Sequence, residues 1–163
     1  MECSATDKED TVEQSHLPAE NAGNIKVTGH VIARLIKADG TEEIHGSDNL
    51  IVTAGKTLLA DILSSSSSRP SHMAIGSNAT APDVSDTTLN TETARVALDS
   101  ATPSTNTVAY QATFGAGVGT GGVEEAGLLN ASSSGTMLAR WLTGTFTKGA
   151  LDVLVLTWTI TFS

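Results

Sequence analysis

Two glycine-bearing stretches have the spelling of phosphate-binding loops, and neither has the surroundings that such chemistry needs. Ala54-Gly55-Lys56-Thr57 reads like the end of a nucleotide-binding loop. That loop requires a glycine five positions ahead of its second one, so that backbone amides can wrap a phosphate, and position 50 is Leu50. The stretch is therefore expected to start a helix, with Lys56 in solvent. Gly117-Val118-Gly119-Thr120-Gly121-Gly122 satisfies a dinucleotide-binding pattern. A pyrophosphate there would need a helix N-terminus directly after the glycines. Val123-Glu124-Glu125-Ala126-Gly127 follows instead, more strand than helix and carrying two carboxylates. A flexible hairpin loop is expected.

The remaining polar side chains are as unpromising for catalysis. His16, His30, His45 and His72 are scattered, with none of the paired spacings that hold zinc. His72 opens a short apolar run and is expected to be a hydrogen-bonded structural residue. Glu124 and Glu125 point to opposite faces of a strand and cannot act on one substrate together. One of them is free to pair with Arg95 or with Arg140 near the core. The run Ser64–Ser68 has no partner base, so nucleophilic catalysis has no geometry. Calcium-loop spacing is absent. The expectation is a protein without catalytic, cofactor-binding or metal-ligating residues, hence no cofactor and no enzyme.

The elements that would carry these residues are strands. Leu151–Phe162 reads LDVLVLTWTITF and alternates strictly from Val153. Leu154, Leu156, Trp158, Ile160 and Phe162 share one large apolar face; Val153, Val155, Thr157, Thr159 and Thr161 share a β-branched one. No proline or glycine interrupts it, as a central strand requires. Tyr110, Phe114, Trp141, Phe146, Trp158 and Phe162 all fall in the last third of the chain, so the densest core should be built there.

Ahead of it, Ile25–Lys37 reads as a strand, Ala38–Thr41 as an Asp-Gly turn, and Glu42–Val52 as the returning strand. Thr53–Leu63 is the one good helix candidate, with Thr53 as its N-cap. Further strands are expected at His72–Ser77, Thr93–Ala101, Thr107–Phe114, Val123–Asn130 and Gly135–Thr143, with Pro103–Asn106 a turn and Thr145–Gly149 a lead into the last strand. This spacing predicts a mainly β fold: an antiparallel β-sandwich or jelly-roll-like domain with one short helix.

At 163 residues the chain has room for one domain and an appended arm. Its net charge of −9 is lopsided. Residues 1–23 carry Glu2, Asp7, Glu9, Asp10, Glu13 and Glu20 against Lys8 alone, a net of −5. They are polar and aperiodic, and read as an acidic arm: by composition a disordered tail, or alternatively an extended segment that orders only against a partner with exposed bases. Residues 24–163 are expected to be the β domain. An acidic chain without a basic stripe argues against direct nucleic-acid binding. No stretch reaches the ~20 apolar residues of a membrane span, and MECSATDKED lacks the apolar centre of a signal peptide, so no membrane partner is expected. The single cysteine, Cys3, excludes an intrachain disulfide.

As an ordered set, several stretches resemble a group of small tailed-bacteriophage virion proteins. They are DNLIVTAGK (Asp48–Lys56), HMAIGSNATAP (His72–Pro82), ETARVAL (Glu92–Leu98), EEAGLLN (Glu124–Asn130), GTMLAR (Gly135–Arg140) and LTWTI (Leu156–Ile160). The resemblance covers roughly residues 25–163 and leaves the acidic arm outside it. It implies a β-rich, usually oligomeric, non-enzymatic structural protein of the capsid decoration (cement) or tail-fibre-associated kind. The short chain, the lack of a fibre shaft and the acidic arm favour a decoration protein, a homotrimer on the capsid surface with the major capsid protein as partner. The alternative is a tail-fibre or head-fibre-base binding module, with the loops Ser64–Arg69, Gly115–Gly122 and Ser132–Gly135 as its working surface.

Overall fold

A computed structural model describes residues 25–163; the acidic arm expected over residues 1–23 lies outside the described residues. In chain order the elements are β1 (Val27–Ile36), β2 (Glu42–Ile51), α1 (Thr53–Leu63), β3 (His72–Gly76), β4 (Glu92–Ala97), β5 (Ser100–Ser104), β6 (Thr107–Phe114), β7 (Gly121–Leu129), β8 (Met137–Lys148) and β9 (Val153–Phe162). The fold is mainly β. The strands form one antiparallel sheet in the order β4-β3-β7-β8-β2-β1-β9-β6-β5.

The alternation of the last strand sets one half of this sheet. β9 lies between β1 and β6, pairing Val31 with Trp158 and Tyr110 with Trp158 in register. Its apolar face, Leu154, Leu156, Trp158 and Ile160, is fully buried, while Thr157 and Thr159 on the other face are half-buried. β2 joins the two halves. It pairs with β1 from Glu42 to Asn49 but reaches β8 only through Leu50 and Ile51, opposite Arg140 and Ala139. The sheet therefore bends at β2 and curls into a half-barrel. One apolar core fills the curl, with Met73, Ile75, Leu128 and Trp141 from one half meeting Leu35, Phe114, Leu156 and Trp158 from the other.

Both tryptophans need an acceptor for their indole N–H in this core. Trp158 Nε1 donates to Asn49 Oδ1 at 2.9 Å, and Trp141 Nε1 to Ser47 Oγ at 2.7 Å. The Asn49 amide lies over Gly29 on the paired strand, in space that any Cβ at position 29 would occupy.

β8 carries an irregularity that shapes the other half. Leu128 pairs with Ala139 and Leu129 with Met137, which leaves Leu138 as an extra residue. Such a bulge resets which side chains face inward. Leu138 and Ala139 both enter the main core, while Met137 faces a second, smaller core with Val52, Ala74, Leu89 and Leu129 on the outer side. Helix α1 closes on this bulge. Val52 N donates to Leu138 O at 3.3 Å, and Gly55 sits so close that a Cβ would collide with the same carbonyl.

Several local expectations need correction. The N-cap of α1 is Val52, with no side-chain cap bond; Thr53 is the first helical residue, and its N–H donates to Val84 O at 2.8 Å. The run Thr93–Ala101 is two strands, because β4 and β5 lie on opposite edges of the sheet. Pro103 sits inside β5 rather than in a turn, which an edge strand tolerates because proline has no N–H to give a neighbour. The glycine loop after β6 is a crossover and not a hairpin, since β6 and β7 belong to different halves. β8 continues to Lys148, through the residues expected to lead into the last strand.

Candidate functional site

The residues with chemical spelling fall in separate places. Ala54–Thr57 is the first turn of α1; Gly55 serves its contact with β8 and Lys56 is in solvent. In the glycine loop, Gly119 has φ +64° and lies against Ile75 Cδ1, so its small size serves the fold. Strand β7, not a helix, follows. His30 Nδ1 is 3.0 Å from Asp48 Oδ1 on the outer face, His45 stacks on Phe146 with ring centroids 4.5 Å apart, and His72 Nδ1 bonds Ser71 Oγ at 2.8 Å. His16 lies outside the described residues. Among the described residues no three metal-ligating side chains cluster.

What the fold does bring together is Glu125, Arg140 and Asp86. Glu125 on β7 and Arg140 on β8 point to the outer face and are wholly buried. Arg140 Nε and Nη2 donate to Glu125 Oε2 at 3.1 and 2.8 Å. Nη1 donates to Asp86 Oδ2 at 2.7 Å, and the carbonyls of Thr80 and Ala81 accept at 3.0 and 3.4 Å. Glu125 also accepts the backbone N–H of Thr91 at 2.7 Å and of Asn90 at 3.0 Å.

This cluster fastens the long connection between β3 and β4 across the outer face of the sheet. Residues 77–91 contain no helix or strand, and a segment of that length gains little order from its own contacts. Here both its ends are clamped by side chains of β7 and β8, and Leu89 beneath it completes the smaller core. Gly76 and Gly127 make room: a Cβ at Gly76 would meet the Glu125 carboxylate, and one at Gly127 would crowd Leu89. A carboxylate or guanidinium acting on a substrate must reach it. In this cluster the hydrogen-bonding capacity is spent inside the protein, which makes it a clamp.

Of the two arginines open to Glu124 and Glu125, Arg140 takes Glu125. Arg95 instead pairs with Glu92 at 2.6 Å and donates to the carbonyls of Ala131 and Ser134, each at 2.9 Å. Sequence reasoning missed Asp86 and the backbone partners. They stand 54 to 60 residues from Arg140, with no spacing rule to link them.

A second polar cluster ties the turns at one end of the sheet. Asp152 accepts the N–H of Ala38 at 3.0 Å and of Gly149 at 2.8 Å, with Lys37 Nζ 3.8 Å away. Lys148 is wholly buried and donates to Gly115 O at 2.8 Å. Burial holds its ammonium below the usual lysine range, and the Asp152 charge partly offsets this.

Two of the surface depressions among the described residues bear on binding. One is a dish of about 600 Å³ in which Ser65–Ser68 face Asn130 and Thr136, so two of the three expected working loops adjoin. The other is an apolar groove of about 890 Å³ between α1 and the paired ends of β1 and β9.

Comparison with known proteins gives no match to any family model, curated protein or solved structure.

Proposed function

We propose that the chain is a non-enzymatic virion structural protein of a tailed bacteriophage, a capsid decoration (cement) protein that bridges and braces neighbouring subunits of the major capsid protein. The observation that carries this reading is where the stretches resembling phage virion proteins lie. Leu50 and Gly55, Thr80 and Ala81, Glu125, Leu138 and Arg140 come from four of them and meet at one joint, where α1, the 77–91 connection, β7 and β8 are locked together. The stretches that carry the resemblance thus coincide with this joint. A rigid β domain is what a brace against internal pressure requires.

On this reading the curled sheet is a β-sandwich of jelly-roll type, its two halves the two layers. The protein acts as a homotrimer on the capsid surface, and residues 1–23, acidic and outside the shared pattern, reach a basic surface of the neighbouring capsid subunit. Each contact is weak, and many copies on one shell add up through effective concentration. The test is deletion of residues 1–23. The shortened chain is expected to fold and to bind capsids poorly in a sedimentation assay; full-strength binding would remove the arm from the mechanism.

One observation favours a second reading, a tail- or head-fibre-base binding module. Two of its three candidate loops form the hydroxyl-lined dish at Ser65–Ser68, with Asn130 Nδ2 bonding Ser68 O at 3.4 Å. Serine substitutions there would then abolish attachment, whereas a decoration protein would keep it.

A further inference from the structure

The groove beside α1 has the makings of a docking site for a piece of the chain itself. Its floor is Val27, Leu59 and Phe162, each half-buried and packed on the main core. Its lips are Ile25 and Leu63, exposed by 78% and 89%. Isolated exposed apolar side chains are ordinary, but these two flank one groove that runs down to the core. Its charged side chains are of one sign, Lys26 and Lys56, in a chain whose net charge is −9.

The groove also sits where the described chain begins. Lys26 and Ser163 exchange backbone hydrogen bonds at 2.6 and 2.9 Å, so Ile25 is held at the groove's edge and residues 1–24 leave from there. Those residues hold six acidic side chains against one lysine, and within them Val12 and Leu17-Pro18 are the bulky apolar residues nearest Ile25 along the sequence. Eight Cα-to-Cα steps lead from Leu17 to Ile25, a reach of up to about 28 Å. The eleven-residue helix along the groove is about 16 Å long. Leu17 can therefore reach any point of the groove from its own chain. Tethering places it there at an effective concentration in the millimolar range.

We propose that, in the free protein, Val12–Pro18 docks in the groove formed by α1, β1 and β9 of the same chain. Leu17 and Val12 cover the Val27–Leu59–Phe162 floor, while the flanking carboxylates face Lys26 and Lys56. This goes beyond the capsid reading and does not depend on it: the groove holds the same segment that the capsid would recruit. It makes the free protein's acidic arm a stored element, and it removes an apolar patch from water.

The test uses the full chain with a nitroxide at position 15, in the double variant C3S/S15C, so that the tag is the single thiol derivative. Paramagnetic broadening of backbone amide signals is read by NMR. Beyond the tag's own sequence neighbours, the expected result is broadening confined to Lys26–Val27, Leu59–Leu63 and Phe162–Ser163, lost at Leu59–Leu63 and Phe162–Ser163 on adding L63D, a change at an 89% exposed side chain that leaves the β9 amide shifts in place. In a mixture of tagged unlabelled chain and untagged isotope-labelled chain, no broadening is expected. Absence of groove broadening in the tagged chain, or broadening that L63D leaves intact, overturns the docking. Broadening seen in the mixture overturns docking within one chain and assigns the groove to a neighbour's segment.

Discussion

Replacing Glu125 by glutamine should cost the domain about 3–5 kcal/mol, the range for breaking a buried ion pair by removing one partner. The structure gives the reason in detail. The Glu125 carboxylate accepts from Arg140 Nε and Nη2 and from the N–H groups of Asn90 and Thr91. Glutamine keeps one oxygen and turns an NH2 group toward donors on the other side. At least one buried donor is then stranded at about 1–3 kcal/mol, and the Arg140 charge keeps only Asp86, whose side chain is 18% exposed. Against a total stability of about 5–15 kcal/mol, this is a large loss, on the order of 10 °C in Tm. Denaturant unfolding reads the global loss, and amide hydrogen exchange reads its location. Asn90 and Thr91 should lose protection beyond what the global change explains, while the β1–β9 ladder follows the global value alone. E125Q combined with R140M should lose less than the two single changes added together, because the second substitution removes the charge that the first one strands. A loss below about 1 kcal/mol, or unchanged exchange at Asn90 and Thr91, would refute the clamp.

Three further outcomes follow from the same geometry. G55A should destabilise by about 1–3 kcal/mol in denaturant titrations, although alanine is the better helix former, because its Cβ collides with Leu138 O. G29A should displace Asn49 from the Trp158 indole, costing about 1–3 kcal/mol and shifting tryptophan emission; unchanged emission and midpoint would contradict it. Burial raises the Tyr110 hydroxyl above its ordinary value of 10.0, so its contribution is complete below that value and is lost as pH rises through the higher folded value. Y110F should flatten the decline in stability above about pH 10, measured by melting in alkaline buffers.

The strands were legible where alternation was strict. β9 is the clearest case: its period-two pattern with no proline or glycine named both its faces and its central place. β1 and α1 were legible for the same reason, an apolar period matching the element. Thr53 looked like a cap because threonine suits that role, yet the N–H groups of Thr53 and Val52 are taken by Val84 and Leu138. The bulge at Leu138 and the separation of β4 from β5 left no local trace, since pairing partners decide them. The Glu125–Arg140 pair was open among alternatives because the two carboxylates are adjacent and no spacing rule chooses between Arg95 and Arg140; Asp86 was hidden because it arrives through a loop. The functional reading came from the resemblance alone, as none of the chemically spelled motifs carries a site.

The copy number of this chain in purified virions, by quantitative mass spectrometry against the major capsid protein, tests the central claim most directly. A ratio near one, or a fixed simple fraction such as one third, is predicted for a decoration protein that covers the shell. A ratio of about a percent, or absence from the particle, would contradict it.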